Sequence, residues 1–321
     1  MSHIVPLLLL LAIIVAASKT TGHVSTLLGQ PAVFGEILVG VILGPGVLDI
    51  LHWPLFVPAV AEGGTLGLGV VVHDLAEIGG VLLMFVAGME TDPADLRRVS
   101  QVAFWTALGG VVLPLGAGAL STHLLGHDWS AAVFIGATLT ATSVSISAQV
   151  LMELDSLRSR VGSTILAAAI IDDVLGVIIL SIVVAFNPLE AADSTRSLLP
   201  GLGMVLLRMT LFLSTAWYFG RVLFERMLGL VSRWCVSTPV LSSVLVVALL
   251  YAWGAEHFGG IAAITGSYLA GLLFARTTYR SSVLAMVKPL TYSLFVPVFF
   301  VSIGLHQCSV KAADLIACRR R

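Results

Sequence analysis

Apolar runs long enough to cross a bilayer recur from one end of this chain to the other, separated by short polar stretches. A helix rises about 1.5 Å per residue, so about 20 residues span a hydrocarbon core. Of the 321 residues, 58% are hydrophobic and 11% are charged, against about 25% charged in a soluble domain. Mean hydropathy is +1.02. The sequence therefore predicts an all-α polytopic membrane protein, a single transmembrane domain over 1–321 with the lipid bilayer as its surroundings.

Ten helices are expected, near residues 3–18, 32–44, 75–90, 101–123, 129–153, 161–186, 198–222, 238–252, 258–277 and 289–307. The first run ends in "AAS", but no Lys or Arg precedes it and further spans follow, so it reads as a helix and not a cleaved signal. The second is short unless its flanking turns lie among the headgroups. Residues 54–74 are Gly-rich and read as a re-entrant piece or as an extended start of the third helix. Small residues recur at helix-packing spacing, as in Gly40 and Gly44, Gly63 and Gly67, and Ser267 and Gly271.

The net charge of −1 excludes the strong basic field of a nucleic-acid binder. Cys235, Cys308 and Cys318 are too few and too scattered for a disulfide framework or a metal site, and no cofactor is expected. Alternating the loops puts Lys19, Arg97, Arg98, Arg158, Arg160, Arg221, Arg226, Arg233, Arg276, Arg280 and Lys288 on one side, against Arg196 alone on the other. That bias makes the first side cytoplasmic and places the N-terminus outside a cell membrane. The tail breaks the pattern, because Lys311 and Arg319, Arg320 and Arg321 follow the tenth helix.

Two adjacent carboxylates interrupt the run "AAAIIDDVLGVIIL". At the centre of a bilayer each costs about 2.5–3.5 kcal/mol on the insertion scale, so the pair is expected to be used. If this helix starts near Val161, Asp172 and Asp173 lie about 16–18 Å along it, at the midplane. Neighbouring helical residues point about 100° apart, so one acid can face a cavity while the other faces a neighbouring helix. Burial and mutual repulsion both oppose the doubly charged state, and the pair is expected to titrate as one coupled unit. Such a carboxylate can hold a proton or a small hard cation. The competing structural reading is a buried salt bridge to Arg208, the one basic residue placed inside a helix.

The fifth run, "GATLTATSVSISAQVL", crowds Thr138, Thr140, Thr142, Ser143, Ser145 and Ser147 into its middle. Hydroxyl and β-branched side chains weaken a helix locally and can satisfy freed backbone groups, so a break is expected here. Midplane breaks, with oriented dipole ends and open carbonyls, form ion sites in secondary transporters. The alternative is a polar packing seam. Glu36 and Glu77 are expected near helix ends in capping or interfacial roles, and Glu90, Asp92 and Asp95 are expected to be solvated in a loop with Arg97 and Arg98.

Taken together, "GQPAVFGEILVGVILGP", "LAEIGGVLLMFVAGMETD", "GATLTATSV", "AIIDDVLG", "GGIAAITGSYLAGLLFA" and "FVPVFFVSIGL" resemble the Kef and NapA type of monovalent cation:proton antiporter across about residues 29–305. The resemblance implies an inverted-repeat, NhaA-like fold, a core carrying broken helices, and a dimerising scaffold. It implies that Asp173 binds cation and proton by turns, with Asp172 as its partner and Thr142 and Ser143 lining the site. Asp173 and Thr142 would then be ligands of the transported Na⁺ or K⁺. Members of that family continue after "FFVSIGL" with about three more helices, whereas this chain ends in "ACRRR", which implies an incomplete core and no regulatory domain.

The expected function is exchange of Na⁺ or K⁺ for H⁺ by alternating access, and not an enzymatic one. An intramembrane aspartyl protease needs its two acids on different helices flanking one scissile bond, and these are consecutive. A non-transporting remnant or membrane interaction protein is the other alternative.

Overall fold

The computed structural model of the protein describes residues 4–53, 55–56, 67–185, 198–231 and 239–305. Among them every regular element is a helix: α1 (Ile4–Leu27), α2 (Ala32–Leu43), α3 (Leu68–Glu90), α4 (Pro93–Leu124), α5 (Trp129–Thr138), α6 (Val144–Glu153), α7 (Arg160–Ala185), α8 (Leu198–Val231), α9 (Pro239–Gly254), α10 (Ala263–Phe274), α11 (Arg280–Leu290) and α12 (Val296–Leu305), with one short 3₁₀ turn and two π turns between them.

The expected spans are found in order, with displaced ends. The third starts earlier, at Leu68, and residues 57–66 of the ambiguous Gly-rich stretch lie outside the described residues. The tenth starts earlier, at Arg280, because the polar stretch of α11 continues through a π turn into the apolar α12. The fifth is broken in two. Among the described residues six helices are long and apolar enough to span a membrane, and α2, α5 and α10 are shorter apolar helices. The lysines and arginines of the C-terminal tail fall outside the described residues, as does Arg196.

The helices form two compact units, the described parts of Met1–Leu83 with Ala285–Arg321, and of Met84–Leu284. In the first, α1, α2 and α12 pack around Leu10, Ile14, Val39, Leu43, Val298, Val301 and Leu305. The α2–α12 seam is backbone on backbone. A Cβ at Gly40 would stand 2.3 Å from the Val301 carbonyl oxygen, and one at Gly304 would stand 2.5 Å from the Gly40 carbonyl carbon. Gly40 and Gly44 are therefore packing residues, as their spacing predicts. The Gly63–Gly67 pair cannot be read in the same way, since Gly63 lies outside the described residues and Gly67 faces open space.

In the second unit α7 is packed on two sides. Ala167 and Ala168 lie against Val99, Ala103 and Ala107 of α4, and Leu166 shares a cluster with Ala148 and Leu151 of α6. The small side chains let α4 and α7 approach closely. The end of α3 meets α10 in the same way, where a Cβ at Gly271 would stand 2.1 Å from the Phe85 carbonyl oxygen and one at Gly88 would stand 2.3 Å from that of Tyr268. Ser267, fully buried, lies on the same short helix.

Candidate functional site

The chain between α5 and α6 is not helical over residues 139–143. Its own hydroxyls compete for the backbone at the end of α5: Thr138 Oγ1 donates to the Ile135 carbonyl and Thr140 Oγ1 to the Ala137 carbonyl, each at 2.8 Å. Ser143 is the N-cap of α6 in extended conformation (φ −91°, ψ 105°), yet its side chain makes no capping bond. The carbonyl end of α5 and the N–H end of α6 thus border one short stretch, and opposite dipole ends are offered there.

Asp172 and Asp173 lie midway along the 26-residue α7. Asp172 is 9% exposed and Asp173 is half-buried. Their directions diverge as adjacent helical positions must. Thr142 Oγ1, from the break, donates to Asp172 Oδ2 at 2.5 Å. Thr265 Oγ1, from the first turn of α10, donates to Asp173 Oδ2 at 2.7 Å. Each acid therefore has one hydroxyl partner, and the two hydroxyls come from different elements. Asp172 Oδ1 is buried without a hydrogen-bond partner among the described residues.

The structure brings Thr142 of the break to the acid pair, with its hydroxyl on Asp172, while the hydroxyl on Asp173 is that of Thr265. Ser143 is exposed, and its carbonyl accepts from Ser147 Oγ at 3.4 Å. Arg208 in α8 is exposed, and among the described residues neither acid has an ion-pair partner, so the buried salt bridge is not formed.

Sequence reasoning missed Thr265. Its signal was the one used for the fifth helix, a hydroxyl beside a break in an apolar run: α10 follows a π turn at Ala255–Gly259 and Gly260 in the left-handed region (φ 65°). An αL residue is where glycine ends a helix without strain, and it starts α10 afresh with Thr265 in its first turn.

The model of the transmembrane sodium/hydrogen exchanger family matches residues 9–311 of this sequence. The chain belongs to that family. The exchanger is 34% identical over 299 residues to the Na⁺/H⁺-K⁺ antiporter GerN of Bacillus cereus, covering 92% of this chain and 70% of the relative. It is 32% identical over 307 residues to a Na⁺/H⁺ antiporter of Enterococcus hirae, covering 96% and 75%. Among solved structures it resembles the sodium proton antiporter MjNhaP1 of Methanocaldococcus jannaschii, with a TM-score of 0.62 at 16% identity over 95% of this chain and 71% of that one. The all-α, multi-pass antiporter fold expected from the sequence is therefore the fold of the exchanger, and the protein is a transporter and not an enzyme.

Several expectations about the other acids change. Glu36 lies inside α2, 4% exposed and 3.6 Å from Lys19 Nζ of α1, instead of at a helix end. Glu77 lies inside α3, exposed and 3.4 Å from His73 one turn earlier. Asp92 is not simply solvated: it is the N-cap of α4 and accepts from the Ala94 N–H at 2.8 Å. Asp95 stands 3.6 Å from Arg98.

Proposed function

We propose that the exchanger moves Na⁺ or K⁺ against H⁺ through one carboxylate site on α7, with Asp173 holding cation and proton by turns. The observation that carries this reading is the acid pair itself: two consecutive carboxylates midway along a spanning helix, each met by a hydroxyl from a different element. Asp172 is the partner acid, and Thr142 and Ser143 at the helix break line the site. The names of the relatives support the substrates, since GerN is a Na⁺/H⁺-K⁺ antiporter.

A hydroxyl has one donor and two acceptor lone pairs. Thr142 and Thr265 now donate to the carboxylates, and by turning their O–H bonds away they offer oxygen to a bare cation. Asp173 and Thr142 are then ligands of the transported ion. Coupling follows from competition. A proton on Asp173 removes the charge that attracts the cation, and a bound cation opposes protonation. Either loaded form is less costly to carry through a low-dielectric region than the bare dianion, which stays behind.

The exchanger is proposed to sit in the inner cell membrane with its N-terminus outside, as the bias of Lys and Arg among the loops implies. It is proposed to work as a homodimer, following the antiporters it resembles. The test is collapse of a preformed proton gradient in everted vesicles from a strain without its own antiporters. Addition of NaCl or KCl should dissipate the gradient, and failure of both to do so would refute the reading.

A further inference from the structure

We propose that a cavity of about 650 Å³ bordered by the α3–α4 turn, α8 and the end of α10 is a binding site for a phosphate-bearing anion. It is separate from the acid pair and does not depend on the exchange mechanism. Four guanidinium groups line it, those of Arg97, Arg221, Arg276 and Arg280, against one carboxylate, Asp92. That carboxylate is already engaged as the cap of α4. None of the four arginines forms an ion pair among the described residues.

Arg97 comes from α4, Arg221 from α8, Arg276 from the turn after α10 and Arg280 from the start of α11, and two of them are partly held in place. The Arg276 guanidinium lies 5.7 Å from the centroid of the Trp217 ring, a stacking that occupies its face and leaves its N–H donors free. Arg280 Nη2 donates to the Glu90 carbonyl at 3.3 Å, which ties this side chain to the end of α3. Arg97 and Arg221 are exposed. The first turn of α4, with Pro93 and Ala94 in the wall, adds the positive end of a 32-residue helix.

Positive-inside placement explains why arginines lie on one side of a membrane protein, but not why four of them converge on a cavity lined by a single carboxylate. A lining of this sign repels Na⁺ and K⁺, so the cavity is no route for the transported ion. Planar guanidinium forks match phosphate oxygens pairwise, and basic pockets among helix ends are suited to phosphate head groups. The floor is apolar, with Leu96 and Leu272 beside Trp217, which suits a phosphate ester that carries a carbon chain as well as it suits the free anion.

The experiment measures the melting temperature of the purified protein in neutral detergent. One arm adds phosphatidylglycerol against phosphatidylcholine, and the other adds sodium phosphate against sodium chloride at equal ionic strength. Stabilisation by phosphatidylglycerol alone assigns a lipid head group, and stabilisation by sodium phosphate assigns the free anion; either supports the site. Arg221→Gln and, separately, Arg97→Gln should raise the half-saturating concentration about tenfold or more, the effect of losing one charge-assisted pair. Arg98→Gln removes the same charge from the same helix outside the cavity and should leave it unchanged. No stabilisation by either probe, or equal weakening by Arg98→Gln, would overturn the proposal.

Discussion

Replacing Asp173 by Asn keeps the shape of the side chain and removes its charge. The amide oxygen can still accept from Thr265 Oγ1, so the 2.7 Å hydrogen bond between α7 and α10 has a substitute and the fold should persist. What disappears is a unit charge opposite the cation. At about 4 Å and an effective dielectric of about 20, that attraction is about 4 kcal/mol, or about three orders of magnitude in cation affinity. The amide also cannot take up and release a proton near neutrality, so both halves of the exchange fail together. The assay is cation-driven dissipation of a proton gradient in everted vesicles, normalised to protein in the membrane, with the melting temperature of the purified variant as the check on folding. Asp173→Asn should give no response to NaCl or KCl at any concentration the wild type answers. Asp172→Asn should retain partial activity, because the Thr142 contact survives through the amide oxygen and the exchanging acid is untouched. Wild-type exchange in a folded Asp173→Asn protein would refute the assignment.

Thr142→Val nearly keeps volume and deletes a hydroxyl at the helix break, so the apparent KM for the cation should rise several-fold with membrane levels intact. Loss of the protein from the membrane at unchanged KM would instead identify the break as a packing seam. Thr265→Val removes the donor on Asp173, a charge-assisted bond worth about 1.5–3 kcal/mol when the acid is ionised. Its effect on transport should be non-additive with Asp172→Asn if the two acids act as one unit, and simple additivity in the double-mutant cycle would contradict that.

The helical class and the order of the spans were legible because lipid leaves a backbone few ways to satisfy its own N–H and C=O groups, and an apolar run of about 20 residues then has one reading. The acid pair was legible for the same reason: a charge in the middle of such a run is too costly to be incidental. The break in the fifth helix was legible because Thr138 and Thr140 are close enough in sequence to bond the carbonyls three residues before them.

Thr265 is 92 residues from Asp173, and nothing local pairs them. Which hydroxyl reaches which acid depends on the direction α10 takes after Gly260, and on the rotation of α7 that Ala167 and Ala168 set against α4. The same holds for the arginines. Sequence sorted them to one side of the membrane by counting charges, but that Arg97, Arg221, Arg276 and Arg280 share a cavity is set by packing, with the ends of α3 and α10 meeting backbone to backbone at glycines 88 and 271 and Trp217 presenting its ring to Arg276. Hydropathy and charge act along the chain, residue by residue, and so can be read from it. Partnership between distant polar groups is decided by helix rotation and close approach, which are properties of the packed structure alone.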